Sequence, residues 1–122
     1  MQTHITSLKQ QFSGELYDSA LVKALYATDA SVYRELPYAV AIPKTTADIK
    51  CLIDFARSNG VSIIPRAAGT SLAGQCVGNG IVVDVSKYMN AILEINTQEQ
   101  WVRVQPGVVR DELNEFLKPY GF

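Results

Sequence analysis

The stretch AVAIPKTTADIKCLIDFARSNGVSII, residues 39–64, decides the fold class of this chain of 122 residues. A short apolar run stops at Pro43, and threonines with Asp48 then supply the hydroxyl and carboxylate groups that favour a helix start. Gly60 ends the helical pattern, and residues 61–64 form a second apolar run. A strand, a helix and a strand in this order predict a crossover between two parallel strands.

The remaining periodic patterns extend this core toward both termini. Residues 81–85 are apolar nearly throughout, which is typical of a strand buried on both faces of a sheet. The other patterns predict a helix over residues 14–26, a hairpin of residues 91–96 and 101–105, and a helix over residues 109–118 that buries Leu113, Phe116 and Leu117. The sequence therefore predicts an α+β fold of α/β-like character, with a small, mostly parallel sheet, flanking helices and an edge hairpin.

The composition argues against several functional classes. Eleven basic residues are balanced by twelve acidic ones, so no excess charge attracts nucleic acid or an anionic membrane surface. No window reaches 18 uninterrupted apolar residues, and the first residues lack the basic start and apolar stretch of a secretory signal. We therefore expect a cytoplasmic protein without a transmembrane segment.

Cysteine and histidine are too few for a metal centre. The two cysteines, Cys51 and Cys76, match no metal-ligand spacing, and without an export signal they are not expected to form a disulfide. Cys51 lies on the apolar stripe of a predicted helix, so we expect a buried thiol there. The single histidine, His4, lies near an N-terminus that we expect to be loose. The sequence therefore predicts neither a metal site nor a histidine-based active site.

The segment PRAAGTSLAG, residues 65–74, carries the clearest chemical signal of the chain. Nothing after Arg66 is bulkier than a leucine, so the backbone can approach a ligand within hydrogen-bond distance. Successive N–H groups in such turns can form a concavity for an anion. Thr70 and Ser71 add hydroxyl donors, and Arg66 adds a positive charge. Because the loop leaves the carboxyl end of a parallel strand, where open sheets place ligands, it predicts a diphosphate site.

The same composition is also typical of a loop that merely joins two strands. Glycine and serine dominate many turns that have no function. The glycines at positions 69, 74, 78 and 80 match neither the Walker pattern nor the G-x-G-x-x-G dinucleotide fingerprint, and no long helix is predicted directly after the loop. Spacing alone leaves both interpretations open.

Three segments together carry a resemblance to a known family. They are YATDASVYRELPYAVAIPKTTADI, IIPRAAGTSLAGQ and VRVQPGVVRDELNEFLKPYG. In this order they resemble the start of the FAD-linked oxidases of the vanillyl-alcohol oxidase and p-cresol methylhydroxylase family. The most similar branch contains the glycolate oxidase large subunit, D-lactate dehydrogenase and D-2-hydroxyglutarate dehydrogenase.

The resemblance implies a set of cofactor-binding residues. In this family a Pro-Arg-x-x-Gly/Asn-Thr-x-Leu/Met-x-Gly loop wraps the FAD diphosphate, and a later Gln-Pro-Gly turn lines the cofactor. Carried over position by position, these residues are Pro65, Arg66, Ala67, Ala68, Gly69, Thr70, Ser71, Leu72, Gly74, Gln105, Pro106 and Gly107. Members that bind FAD covalently through this loop carry a histidine where this chain has Thr70, so the resemblance implies non-covalent FAD. Many relatives carry glycine at the positions of Ala67, Ala68 and Ser71. The side chains of these residues reduce the range of φ and ψ angles that the backbone can adopt.

The resemblance also implies the activity of a complete enzyme. Such an enzyme oxidises a small D-2-hydroxy acid of the glycolate or D-lactate type by hydride transfer to FAD. Residues 1–122 correspond to the N-terminal portion of the FAD-binding domain, its first subdomain, so we expect a fragment of a longer chain. The substrate site then lies elsewhere, and no catalytic or metal-binding residue is assigned. A dimer of the fragment through its exposed inner face and peripheral membrane association of the parent enzyme are both compatible with this assignment.

Two other functions are compatible with the same fold. One is a non-catalytic interaction domain that has lost its flavin. The other is a flavoenzyme similar to UDP-N-acetylenolpyruvoylglucosamine reductase, which reduces an enolpyruvyl group. The Tyr-Ala-Thr-Asp-Ala-Ser stretch and the Gln-Pro-Gly turn favour the hydroxy-acid branch.

Several other polar and aromatic residues have roles that the sequence leaves open. The family also carries Asp-x-Ser-x-Tyr at the positions of Asp29, Ser31 and Tyr33, which suits either packing near the flavin or fixing the loop to the sheet. Asp84, the charge in an apolar strand, is expected at a sheet rim or as an acceptor for a neighbouring loop. Trp101 is expected to pack against the protein.

Overall fold

The computed structural model describes residues 2–122, with side chains from residue 5 onward; the side chain of His4 therefore lies outside the described part. The elements in chain order are α1 Gln2–Gln11, β1 Glu15–Tyr17, α2 Ala20–Leu25, β2 Ala39–Ile42, α3 Thr46–Asn59, β3 Ile63–Arg66, β4 Ile81–Asp84, β5 Ile92–Asn96, β6 Trp101–Val104, α4 Arg110–Leu117 and a 3₁₀ turn Lys118–Tyr120. This succession confirms the predicted mixture of strands and helices.

The main sheet has four strands in the order β1-β2-β4-β3. β4 pairs in parallel with both of its neighbours, so that Ala39, Ile81 and Ile63 lie side by side. β1 adds an antiparallel edge. The strands β2 and β3 are parallel, as predicted, but β4 separates them, because its apolar residues fill the position buried on both faces.

Helices α1 and α3 pack against one face of this sheet, and loops with the C-terminal end of α2 lie on the other. The core on the helix face contains Ile5, Leu8, Phe12, Ala39, Ala41, Leu52, Ile81, Val83, Val85 and Met89. Alternate strand residues point the opposite way, and there Val40 and Val82 are completely buried. Loop residue Gly78 lies against Ile64 on that side. The loops that follow α2 and β3 are therefore packed parts of the fold.

The sequence predicts a threonine cap and a helix start complemented by Asp48, and the structure shows that the two residues form a capping box. The Thr45 hydroxyl accepts from the Asp48 N–H at 3.1 Å, and the Asp48 carboxylate accepts from the Thr45 N–H at 3.3 Å. The same carboxylate also accepts from the N–H and hydroxyl of Ser13, at 2.8 and 2.7 Å, and from the Lys44 N–H at 2.9 Å. At the other end, Gly60 adopts a left-handed φ of 64°. Asp48 therefore joins two distant segments besides capping a helix.

The predicted helix over residues 14–26 is wrong in its first part. Residues Glu15 to Tyr17 form β1, whose Glu15 lies opposite Ile42, and only Ala20–Leu25 is helical, capped by Ser19. A Cβ on Gly14 would lie 2.1 Å from the Ile42 carbonyl oxygen. The backbone at Gly14 therefore lies so close to β2 that the following residues join the sheet. The apolar periodicity of the sequence cannot show this contact.

Other local predictions need smaller corrections. The N-terminus, expected to be loose, forms α1, which buries Ile5 and Leu8 in the core. The second strand begins two residues later than predicted and ends at Arg66. Of the three residues predicted to be buried by α4, Phe116 is 39% exposed and Leu113 and Leu117 are only half-buried. Cys51 is also only half-buried.

Glu15 anchors the edge strand to the segment that follows β4. Its carboxylate accepts from Lys87 Nζ at 2.7 Å and from the hydroxyls of Tyr17 and Tyr88 at 2.5 and 2.6 Å. The hydrogen bond from Lys87, followed by those from the two tyrosines, lowers the pKa of Glu15 to about 2. Glu15 therefore carries its charge across the ordinary pH range and holds β1 in place.

Three negative findings apply to the described residues. Both Cys51 and Cys76 are free thiols, as expected. Among the side chains from residue 5 onward, His, Cys, Asp and Glu form no group of three or more that could hold a metal ion. No helix within residues 2–122 has the length and apolar character needed to cross a bilayer.

Candidate functional site

The loop singled out by its composition leaves the carboxyl end of β3. Pro65 and Arg66 are still strand residues, paired with Val83 and Asp84 of β4. The residues that follow, 67–76, have no regular structure and are called here the glycine loop. Thr70, Leu72 and other members of this loop are exposed. The predicted position of the loop at the carboxyl edge of a parallel sheet, the usual ligand side, is therefore confirmed.

The backbone of the glycine loop presents a run of available donors. In the described part of the chain, the N–H groups of residues 69–72 make no hydrogen bond to protein. Gly69 and Gly74 adopt left-handed φ values of 69° and 78°, which side chains disfavour. A left-handed residue next to a right-handed one can turn neighbouring N–H groups toward one side, where they can bind an anion.

The hydroxyl groups of the loop add to this set. Ser71 Oγ accepts from the N–H groups of Ala73 and Gln75, at 3.4 and 3.2 Å. Its own hydroxyl proton remains available for a ligand, because accepting uses only the oxygen lone pairs. Thr70 is exposed beside it. Ser71 thus shapes the loop while it keeps one donor.

Arg66 is more strongly engaged with protein than the sequence indicated. Its Nη1 donates to the Thr28 carbonyl oxygen at 2.7 Å, and its guanidinium carbon lies 5.1 Å from the ring centre of Tyr26. The rest of the guanidinium lies under the glycine loop, since a Cβ on Gly69 would be 2.6 Å from Nη2. The guanidinium of Arg66 therefore packs against the glycine loop at Gly69 and places a positive charge next to it.

A polar pair beneath Arg66 closes this end of the sheet. The Tyr26 hydroxyl donates to Asp84 at 2.6 Å, and burial, followed by this hydrogen bond, raises the pKa of Tyr26 to about 12. Asp84 is buried and also accepts from the N–H and hydroxyl of Ser86, at 2.9 and 2.6 Å. The expectation that Asp84 serves as an acceptor for a neighbouring loop is confirmed.

A second loop crosses the glycine loop and was only partly anticipated. Residues 28–33, called here the brace, contain Asp29, which accepts from the Cys76 N–H at 3.4 Å. The Ala30 N–H donates to the Gly69 carbonyl oxygen at 3.1 Å. The sequence leaves two roles for this stretch, packing near the flavin or fixing its own loop to the sheet. The structure joins it to the glycine loop and, through Thr28, to Arg66 of β3; packing near the flavin stays a prediction. In the sequence, only the Asp-x-Ser pattern indicated a structural role for residues 28–33. Nothing in the sequence indicated the hydrogen bond that Ala30 makes.

The predicted Gln105-Pro106-Gly107 turn forms the corner between β6 and α4. Gln105 closes the hairpin, since its N–H donates to the Ala91 carbonyl and its side chain accepts from the Ala91 N–H. The Gly107 N–H donates to the Met89 carbonyl at 2.8 Å. The corner is therefore fixed to the segment that leaves β4.

This close packing explains the glycine at position 107 and gives a testable prediction. A Cβ there would lie 2.2 Å from the Val85 carbonyl oxygen and 2.7 Å from that of Met89. We expect Gly107→Ala to lower the free energy of unfolding by about 1–3 kcal/mol, because the backbone must move to relieve the overlap. Gly121→Ala is the comparison in denaturant titrations, because an added Cβ there meets nothing within 4 Å and the only cost is that of an alanine at a left-handed φ of 82°. An equal loss in both variants would contradict the explanation.

The structure brings two of the predicted segments to one cleft. Pro65 and Pro106 both line an apolar depression of about 300 Å³ that α3 closes with Ile49 and Ile53. The free N–H groups and left-handed glycines of the glycine loop fit the diphosphate of a dinucleotide, and the cleft offers apolar surface next to Pro65. The residues present are therefore chemically suited to FAD.

Comparison with known proteins agrees with this chemistry. The family model described as "FAD binding domain" matches residues 37–122. The chain is 47% identical over 115 residues to the D-2-hydroxyglutarate dehydrogenase of Haemophilus influenzae, covering 92% of this chain and 11% of that protein. It is 37% identical over 94 residues to the glycolate oxidase subunit GlcD of Bacillus subtilis, covering 75% of this chain and 20% of that protein. The chain thus spans only a small part of these curated relatives.

Solved structures show the same fold. An alkyldihydroxyacetonephosphate synthase superposes with a TM-score of 0.84 at 20% identity, covering 99% of this chain and 25% of that one. The p-cresol methylhydroxylase structure superposes with a TM-score of 0.77 at 15% identity, covering 98% of this chain and 25% of that one. The small, mostly parallel sheet with its separate hairpin therefore matches solved members of the family named in the sequence resemblance.

Proposed function

This chain belongs to the family of FAD binding domains, and from that membership we propose that residues 1–122 form the first part of the cofactor domain in a larger, FAD-dependent oxidoreductase. The proposed substrate is a small D-2-hydroxy acid, which the complete enzyme oxidises. The named relatives that act on D-2-hydroxyglutarate and glycolate support this class. When bound, the flavin supplies the redox chemistry, and the protein supplies binding and orientation.

The glycine loop is the observation that carries this proposal. Its N–H groups at residues 69–72, with the hydroxyls of Thr70 and Ser71, hold the FAD diphosphate non-covalently. Arg66 balances part of the phosphate charge from beneath the loop. Each hydrogen bond to a charged oxygen contributes about 1.5–3 kcal/mol, so several together account for tight binding without a covalent link.

The remaining site assignments follow the cleft. Pro65, Pro106 and Gly107 border the cofactor on the side of α3, and Gln105 holds the hairpin that carries this corner. Ala67, Ala68, Leu72 and Gly74 shape the glycine loop. None of these residues is placed to exchange a proton with a substrate, so the groups that select and activate the hydroxy acid belong to other parts of the enzyme.

The proposal is tested on the full-length protein that contains these residues. Purified protein should show the absorbance spectrum of a flavin, and the cofactor released by denaturation should be FAD. Adding D-2-hydroxy acids one at a time without oxygen should bleach the spectrum, whereas the L-enantiomers should not. Colourless protein that does not bind added FAD would contradict the proposed cofactor. Bound FAD that no 2-hydroxy acid reduces would contradict the proposed substrate class.

A further inference from the structure

We propose that Asp29 is a positioning residue for FAD binding: it holds the brace, residues 28–33, across the glycine loop so that the loop is set for the diphosphate before FAD arrives. This inference rests on the proposed function of the glycine loop. Asp29 itself does not contact the cofactor in this proposal. It acts through the backbone of two loops that are far apart in sequence.

The brace contacts the loop region at three points. Arg66, just before the loop, donates to the Thr28 carbonyl at 2.7 Å. Gly69, the third residue of the loop, accepts from the Ala30 N–H at 3.1 Å. Cys76, at its end, donates to Asp29 at 3.4 Å. Two short segments joined at three separate points restrict each other, which reduces the conformational entropy lost when a ligand binds.

The hydrogen bond between Ala30 and Gly69 fixes the direction of the Thr70 N–H, which is one of the proposed donors to the diphosphate. A trans peptide is planar, so the carbonyl of Gly69 and the N–H of Thr70 point in opposite directions. Because the Gly69 carbonyl is held by Ala30, the Thr70 N–H points away from the brace, to the open side of the loop. A peptide that follows a glycine would otherwise rotate at low cost. The brace thus selects the orientation that presents the Thr70 N–H to a phosphate.

Asp29 is suited to this role because both of its oxygens are used. Oδ1 accepts from the Ser31 N–H at 2.8 Å and from the Ser31 hydroxyl, which closes the turn of the brace. Oδ2 accepts from the Cys76 N–H. A carboxylate can accept on both sides, whereas an amide of the same size must turn a donor toward one of these N–H groups. The arrangement therefore needs two acceptor oxygens, which Asp29 supplies and an asparagine does not.

The test compares Asp29→Asn with Asp18→Asn in the full-length enzyme. Asp18 is an exposed aspartate that pairs with Lys9 at 3.2 Å, so its replacement makes the same chemical change away from the loop. FAD is titrated into each apo-protein, and melting temperature, flavin spectrum and kcat at saturating FAD are measured. We expect Asp29→Asn to weaken FAD binding about ten-fold or more, with kcat at saturating FAD and the flavin spectrum unchanged, and Asp18→Asn to match the wild type.

Two results would overturn the inference. One is an unchanged FAD affinity in Asp29→Asn. The other is a fall in its apo-protein melting temperature together with kcat, which would mark a general structural role. Gly69→Val in the same assay separates this inference from the proposed function. If Gly69→Val loses FAD while Asp29→Asn keeps it, only the role of Asp29 fails; if both keep FAD, the proposed loop site fails.

Discussion

Gly69→Val is expected to abolish FAD binding, with a dissociation constant raised about 100-fold or more in the full-length enzyme. Gly69 has a φ of 69°, a conformation that a β-branched residue almost never adopts. The added Cβ would also lie 2.6 Å from Nη2 and 2.9 Å from Cζ of Arg66. Valine drives the loop out of this left-handed conformation, so the proposed hydrogen bonds between its N–H groups and the charged phosphate oxygens would be lost together. Titration of the apo-protein with FAD measures the effect.

Gly60→Val is the matched control for this substitution. Gly60 also has a left-handed φ, of 64°, but an added Cβ there meets nothing within 4 Å. It lies at the opposite end of β3 from the glycine loop. We expect Gly60→Val to lower the melting temperature and to keep normal FAD affinity. Equal FAD affinities in the two variants would show that the diphosphate binds elsewhere.

Asp48→Ala is expected to lower the free energy of unfolding by about 3 kcal/mol or more. The side chain is 2% exposed, and its carboxylate accepts hydrogen bonds from Ser13, Lys44 and Thr45. Alanine removes the carboxylate acceptor, so the N–H groups of Ser13, Lys44 and Thr45 lose this hydrogen-bond partner in the packed interior. Denaturant titration at neutral pH measures the loss, and Asp54→Ala, at an exposed position of the same helix, should change the free energy little.

The contribution of Asp48 should also depend on pH. Burial opposes ionisation of this carboxyl group, but hydrogen bonds from Lys44, Ser13 and Thr45 outweigh burial and hold its pKa below the ordinary value of 3.8. Since the folded state has the lower pKa, the stabilisation is complete above the pKa of the unfolded chain and is lost as the pH falls through that of the folded state. The stability difference between wild type and Asp48→Ala should therefore shrink in acid. A difference that stays constant down to pH 2 would contradict this role.

Local sequence signals identified most elements of the fold. The cap at Thr45 and Asp48, the apolar stripe and the terminating Gly60 act within a few residues of one another, so α3 was predicted almost to its bounds. The alternating hairpin and the apolar strand β4 were likewise correct. The Gly14–Tyr17 stretch failed because its apolar spacing suits a helix, while pairing with β2, a contact between distant residues, places it in a strand.

The candidate site divides in the same way. The sequence by itself determined a small-residue loop after a parallel strand and, through resemblance, the residues of that loop suited to FAD. Only the tertiary structure decided that β4 lies between β2 and β3, that Arg66 supports the loop from below, and that Asp29 meets Cys76 across 47 residues of chain. Helix caps and strand alternation depend on residues that are close along the chain, so they can be predicted from the sequence. Contacts between loops depend on how the sheet brings distant segments together, and a single sequence carries no local trace of them.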